Sequence, residues 1–283
     1  MAIDLPRLVP DSSSPHGGEL VVTFPEGSGC ETFLVPLDPA PDVLRSWKVL
    51  QDCTLFGQIL DGYICDPISR ASPSPTAMLS KYFARPVHLV MKGPEPRACP
   101  PTLGVPDLKA TAVFQDGYPF LVVSEESLEQ VRRLVSLAAH KSQDDDGRIG
   151  GLDQRRWVDG DVEMERFRPN IVLKGSGLPF AEDTWREIVI APELESNPKS
   201  ASSTKTFTLV SKCARCLLPN VDPATGTRDA AVPYKVLMKF RTGKDPARQS
   251  KPCFGCNAVV GGKGIIRVGD WITVKEWAGV GGV

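Results

Sequence analysis

At 283 residues the chain is long enough for one large or two ordinary domains with cores of their own. Its 41% hydrophobic and 24% charged residues describe a soluble globular protein, and a net charge of -1 gives no electrostatic reason to expect nucleic acid or an anionic membrane as partner. No apolar run approaches the roughly 18 residues that span a bilayer, and the opening MAIDLPRLVPDSSSP has the order of neither a signal peptide nor a transit peptide. As written, the chain is expected to be intracellular and cytoplasmic.

Residues 1–18 are rich in Pro and Ser and are expected to be irregular. Glu19 to Pro36 reads as two strands about a PEGSG turn, and a short helix is predicted over Pro41–Val49 with Asp38 or Asp42 near its start. Ser74 has the place of an N-cap, with Pro75 in the first helical position, Ala77–Phe83 continuing the helix and Pro86 ending it. Val87–Met91 is predicted as a buried strand, and the Pro-rich residues 93–110 as a long loop. Then come strand ATAVF, turn QDGYP, strand FLVV and helix SEESLEQVRRLVSLAAH. Ser124 caps that helix, Glu125 and Glu126 complement its dipole, and Leu128, Val131, Leu134, Val135 and Ala138 form its apolar face.

Residues 141–165 lack periodicity and are expected to form an exposed, mobile insertion. Its acidic triplet Asp144–Asp146 lacks the alternating spacing and terminal Glu of a calcium loop and reads as solvated. After it the chain turns strand-rich, with RFRPNIVLKG, TWREIVIAP, KTFTLVSK, YKVLMKF and GIIRVGDWITVKEW all predicted as strands of a barrel or sandwich.

Chemistry concentrates in TFTLVSKCARCLLPNVD, an alternating strand running into a Cys-x-x-Cys turn. Cys213 and Cys216 are interleaved with Lys212 and Arg215, and Pro219 and Pro223 stop a helix from following. Nearby cations stabilise a thiolate, which binds soft metals or does redox chemistry. With Cys253 and Cys256, the pair could hold zinc through four thiolates. Against that, the gap between pairs is long, and Leu217 and Asn257 stand where a zinc knuckle has Gly. A thioredoxin-type pair fits less well, since Cys213 does not open a helix after a βαβ strand. The absence of an export signal favours reduced thiols over disulfides. His16, His88 and His140 are isolated, which speaks against a His-built metal site or a Ser-His-Asp triad. The run Arg166-Phe167-Arg168-Pro169-Asn170 suits bidentate binding of a phosphate or carboxylate, with Asn170 as amide reader. Its alternative is salt bridging to the acidic loop before it.

FRPNIVL, FAEDTW, SKCARCLLPNVDPATGTRD, CFGCNAV and IRVGDWITV together closely resemble the MOSC family, and within it the amidoxime-reducing branch and its fungal relatives. The resemblance covers residues 75–283, including QDGYPFLVVSEESL, and is weak over 20–60. It implies an α+β, mostly β chain with a few short helices. Residues 1–110 would be an incomplete N-terminal β-barrel module, and residues 111–283 a β-barrel-like MOSC domain carrying the insertion. It also implies a molybdenum pterin cofactor, with Cys216 as the thiolate on the metal. Arg168 and Asn170 of FRPN and Arg215 of the Cys motif would hold it, joined by Lys212 and by Asp116 and Tyr118 of QDGYP. Cys213, Cys253 and Cys256 then lose their zinc role. The implied reaction is reduction of small N-hydroxylated substrates such as amidoximes, with electrons from a b-type cytochrome and its flavin reductase. Pyridoxal phosphate is carried only as a family label. The family's opening Tyr-Pro-x-Lys-Ser and later Asp-Arg-x-Trp motifs have no match here, so the chain is expected to start downstream of them; a longer form would be placed at the mitochondrial outer membrane. Two rival readings stand beside this one. One is a sulfur-carrying module like the C-terminal part of molybdenum cofactor sulfurase, and the other a non-catalytic, zinc-stabilised binding protein.

Overall fold

A computed structural model describes residues 6–69, 71–141, 148–192, 204–262, 264–279 and 282–283. Among them the chain is mostly β, with five α-helices, and divides into two units, Met1–Arg97 and Ala98–Val283.

In the first unit, β1 (Arg7–Pro10), β2 (Gly18–Val22) and β3 (Phe33–Pro36) form an antiparallel sheet. The β2–β3 pair is the predicted hairpin. Strand β1 corrects the irregular reading of residues 1–18: it pairs Leu8 with Leu20 along an edge, and because only Val9 is even half-buried its sequence carries no alternation. Helix α1 (Pro41–Ser46) stops short of Val49, which opens β4 (Val49–Leu55). β4, β5 (Gln58–Ile64) and β6 (Val90–Lys92) make a second sheet. The sequence hid the β4–β5 hairpin because its turn is Phe56-Gly57, both left-handed at φ 51 and 80, a place where Asn or Asp normally gives the signal. β6 is shorter than the expected Val87–Met91 strand and only half-buried. Helix α2 (Pro75–Phe83) begins after Ser74 as predicted, although the Ser74 side chain accepts no main-chain N–H. Phe33, Val35, Trp47, Cys65 and Leu79 form this unit's core.

Two-residue strands β7 (Arg97–Ala98) and β8 (Thr111–Ala112) pair with each other. The second unit is otherwise built on β9 (Phe120–Ser124), β10 (Ile171–Leu173), β11 (Trp185–Ala191), β12 (Lys205–Ala214), β13 (Cys253–Val260) and β14 (Trp271–Trp277). These lie in the order β10-β9-β13-β12-β11-β14 and curl into a half-barrel. Only β10 and β9 are parallel, and α3 (Glu125–Ala139) lies between them in the chain. Both faces of the sheet are covered. Val123, Leu128, Val131, Val135, Trp157, Phe167 and Phe254 pack on one side, and Val122, Ile171, Ile188, Phe207, Leu209 and Cys256 on the other. Burial on two sides explains why FLVV reads as a continuous apolar run. Phe254 and Cys256 are two residues apart yet face opposite clusters. Gly255, at φ 74, makes the bulge that turns the strand, and a Cβ there would stand 2.8 Å from the Val122 carbonyl oxygen.

Three expectations fail in this unit, the first at residues 264–268 (GIIRV), which form no strand ahead of β14. YKVLMKF is not a strand but α5 (Tyr234–Phe240), with Val236 and Leu237 buried and Phe240 packed beside them; the i, i+1, i+4 spacing is helical. Residues 148–165 are not a solvated insertion either. They include α4 (Gln154–Trp157) and bury Ile149, Trp157 and Val162. Their anchors are too widely spaced to show a period. Asp144–Asp146 lie outside the described residues.

The N-terminus of α3 is held by a buried carboxylate that the sequence did not disclose. Ser124 caps the helix by accepting the Ser127 N–H, and the hydroxyls of Ser124 and Ser127 donate to Glu182 at 3.0 and 2.7 Å. Burial pushes the Glu182 carboxyl above its ordinary range, and the two serine hydroxyls offset this only in part. A raised folded-state value means that the contribution of Glu182 to stability is fully present below the unfolded-chain value of about 4.3. It is lost as pH rises through the folded value. Glu182→Gln is expected to remove that loss, so its stability relative to the parent should improve as pH rises above the unfolded-chain value and through the folded one in denaturant titrations. A relative stability that worsens over this range would contradict the assignment.

Candidate active site

The Cys motif lies where β12 leaves the sheet. Cys213 is in the strand's last turn of pleat, half-buried against the Phe167–Phe254 cluster. Its neighbour Lys212 faces the other way, as strand alternation requires. Lys212 is 4% exposed, pairs across the ladder with Cys256, and donates from Nζ to the main-chain oxygen of Val283 at 2.6 Å. The chain then bends. The Arg215 N–H reaches the Pro252 carbonyl at 2.8 Å, and Cys216 emerges as an exposed thiol between the strand and a 3-10 turn at Leu218–Asn220. The Leu218 N–H points at Cys216 Sγ from 3.4 Å.

Arg215 is the centre of this corner. Its Nη1 donates to Cys213 Sγ at 3.0 Å, its Nη2 to the Phe167 carbonyl at 2.8 Å, and its guanidinium stacks over the Phe167 ring at 5.6 Å. Its Nε is buried with no hydrogen-bond partner. Arg215 thus ties the Cys motif to FRPN.

The FRPN segment follows a 3-10 turn at Met164–Phe167. Arg166 and Phe167 are buried, while Arg168 takes a left-handed conformation, φ 56, and stands exposed. That break in direction separates the two arginines that sequence reading had paired as one anion clamp. Asn170 extends the parallel β9–β10 pairing: its N–H donates to the Leu121 carbonyl at 3.0 Å, and its Oδ1 accepts the Leu121 N–H at 2.8 Å. The side-chain NH2 is therefore the face Asn170 can offer a ligand. Tyr118, just ahead of β9, donates from its hydroxyl to the Pro100 carbonyl at 3.0 Å, and burial raises its pKa. Asp116 is exposed.

The structure therefore joins Arg215 to the FRPN strand-turn and sets Cys216 beside it. Tyr118 lies at the start of the strand that Asn170 grips. Lys212 keeps its contacts on the opposite face of β12.

The four-cysteine zinc alternative fails on placement. Among the described residues no three His, Cys, Asp or Glu side chains are gathered to hold a metal. Burial pushes Cys253 up to about 11 and Cys256 well above the ordinary thiol range. Cys256 Sγ instead donates to the Glu182 carbonyl at 3.4 Å. All eight cysteines are free thiols.

Residues 109–273, which carry most of this half-barrel and the Cys motif, match the family model described as the MOSC domain. The chain belongs to the MOSC family. It is 32% identical over 243 residues to the protein named mitochondrial amidoxime-reducing component 1 of Mus musculus, a match covering 84% of this chain and 58% of that protein. It is 30% identical over 260 residues to mitochondrial amidoxime reducing component 2 of Macaca fascicularis, covering 89% and 65%. Against amidoxime-reducing component 1 of Danio rerio the identity is 27% over 273 residues, 94% of this chain and 67% of that one. The chain thus spans about three-fifths of the length of the first two relatives.

Proposed function

We propose that this chain is a molybdenum-cofactor-dependent reductase of N-hydroxylated substrates, with Cys216 as the protein's thiolate ligand to the metal. The observation that carries the reading is the single exposed thiol of Cys216 next to Arg215, whose buried Nε has no partner. The donor set fits the group. A soft thiolate suits molybdenum, and a buried, unpaired guanidinium N–H is costly unless an acceptor fills its place. An anionic pterin phosphate or dithiolene supplies acceptors of that kind. Arg168, exposed, and the NH2 of Asn170 are the further donors that would face it. Asp116 and Tyr118, ahead of β9, are proposed as outer contacts, whereas Lys212 stays with its own partners on the other face of β12.

When bound, the cofactor supplies the two electrons that, with two protons, convert an amidoxime into an amidine and water. This chain's residues do the rest: Cys216 holds the metal, Arg215 and Arg168 neutralise and orient the anionic group, and Asn170 fixes one edge. We propose a b-type cytochrome with its flavin reductase as electron source. The relatives are named as mitochondrial proteins, and that location is proposed for this chain too. Among the described residues no helix is long and apolar enough to cross a membrane.

Cofactor-loaded protein, supplied with NADH, cytochrome and reductase, is expected to turn benzamidoxime into benzamidine. Loaded protein that makes no benzamidine, while a relative in the same assay does, would overturn the reading.

A further inference from the structure

Arg166 had the look of a ligand-binding cation, but its side chain is only 1% exposed. It points inward. Nε donates to Glu163 Oε2 at 2.5 Å and Nη2 to Asp222 Oδ2 at 3.1 Å, and the guanidinium lies 5.8 Å from the centre of the Trp157 ring. Asp222 is in turn the organiser of the loop after Cys216. Its Oδ1 accepts the N–H groups of Ala224 and Thr225 at 3.0 and 3.1 Å, and its main chain pairs with Thr227 and Gly226. The Ala224 and Thr225 bonds and the Arg166 charge hold its carboxyl below the ordinary range.

The chain from Asp222 back to Cys216 has little freedom. Val221 N–H bonds Leu218, Asn220 N–H bonds Leu217, and Leu218 N–H points at the Cys216 sulfur. Asn220, 1% exposed, is fixed through its side chain to Asp229 and Tyr234. On the other side of the thiol, Arg215 is fastened to the Phe167 carbonyl. Both ends of the segment bearing Cys216 are thus tied to two consecutive residues, Arg166 and Phe167. Arg156, half-exposed and 3.5 Å from Asp222, adds a looser second tie.

We propose that Arg166 is a positioning residue for Cys216, acting through Asp222 to fix where the thiol stands. This inference rests on the reading of Cys216 as the metal ligand only for its consequence in catalysis; the positioning itself is a property of the chain alone. The logic is that of a charge-assisted pair with one buried end: Arg166, 1% exposed, is left with only the exposed Glu163 carboxylate if Asp222 is neutralised. A ligand held loosely by its supporting shell loses function even when present.

The test uses the full chain without cofactor and reads Cys216 alkylation by mass spectrometry. Leu217 and Leu218, 44% and 47% exposed, follow Cys216 directly, and the Leu218 N–H points at its sulfur, so a thiol held in place should discriminate against a bulky reagent. The preference for iodoacetamide over N-phenylmaleimide, normalised to the same ratio for glutathione, cancels the ionised fraction of the thiol. Arg166→Gln and Asp222→Asn are each expected to shift this preference at least fivefold toward the glutathione value. The double variant should shift it no further than the larger single, and Arg132→Gln, a surface arginine on α3, should leave it unchanged. In loaded protein the same variants should lose kcat with KM held. Single variants that melt cooperatively and stay within twofold of the parent, or a double variant that adds the two effects, would overturn the proposal. If Arg166→Gln does not fold, Arg166→Lys and Asp222→Asn decide it by the same criteria. A shifted preference in a protein that reduces no benzamidoxime would sink the reductase reading and leave the positioning role standing.

Discussion

Cys216→Ser is expected to abolish benzamidoxime reduction, lowering kcat by at least about a hundredfold, while Cys213→Ser keeps activity within about tenfold of the parent. The two thiols differ in what they touch. Cys216 is exposed at the corner of the chain, and Cys213 is half-buried against the Phe167–Phe254 cluster with its sulfur accepting the Arg215 Nη1–H at 3.0 Å. A serine at 213 still offers an oxygen to that N–H and removes little volume. A serine at 216 replaces a soft donor by a hard one, a poor substitute on a metal of this class. Molybdenum content measured beside activity separates loss of cofactor from loss of chemistry. Equal losses in the two variants would contradict a single-thiolate site and return attention to a mechanism needing both cysteines.

The largest effect on stability is expected at Arg241. Its Nη2 donates to both carboxylate oxygens of Asp183 at 3.0 and 2.8 Å, its Nε to the Cys253 carbonyl at 3.0 Å, and its guanidinium lies 4.1 Å from the centre of the Phe180 ring. The two side chains are 5% and 12% exposed. Removing one partner strands a buried charge, so Arg241→Ala and Asp183→Ala should each cost about 3–5 kcal/mol in denaturant unfolding. The double replacement by apolar residues, Arg241→Met with Asp183→Leu, should cost less than either single change, because no charge is left unpaired. Single losses below about 1 kcal/mol would show that water reaches the pair.

What the sequence disclosed and what it hid divide along physical lines. β12 was legible because Phe207 and Leu209 alternate with polar residues, and α3 because a cap, two acidic residues and an apolar stripe agree with one another. α5 was misread because YKVLMKF is short and rich in β-branched and aromatic residues, and two buried positions in one turn do not establish a period. The core role of Trp157 was hidden in a stretch rich in Asp and Gly. Its indole N–H reaches Asp229 at 2.8 Å, a partner far along the chain that no local pattern announces. The site divides in the same way. The family resemblance singled out Cys216, Arg215, Arg168 and Asn170, and the structure sets them on joined segments; spacing alone left Cys213 beside Cys216. It could not separate Arg166 from Arg168, since the left-handed backbone at Arg168 that sends one inward and the other outward is a tertiary outcome for a non-glycine residue.

Elemental analysis of protein purified from a host that makes the molybdenum cofactor tests the central claim most directly. The account predicts molybdenum approaching one atom per chain in the parent, its loss in Cys216→Ser, and no stoichiometric zinc. Stoichiometric zinc without molybdenum in the parent would contradict it.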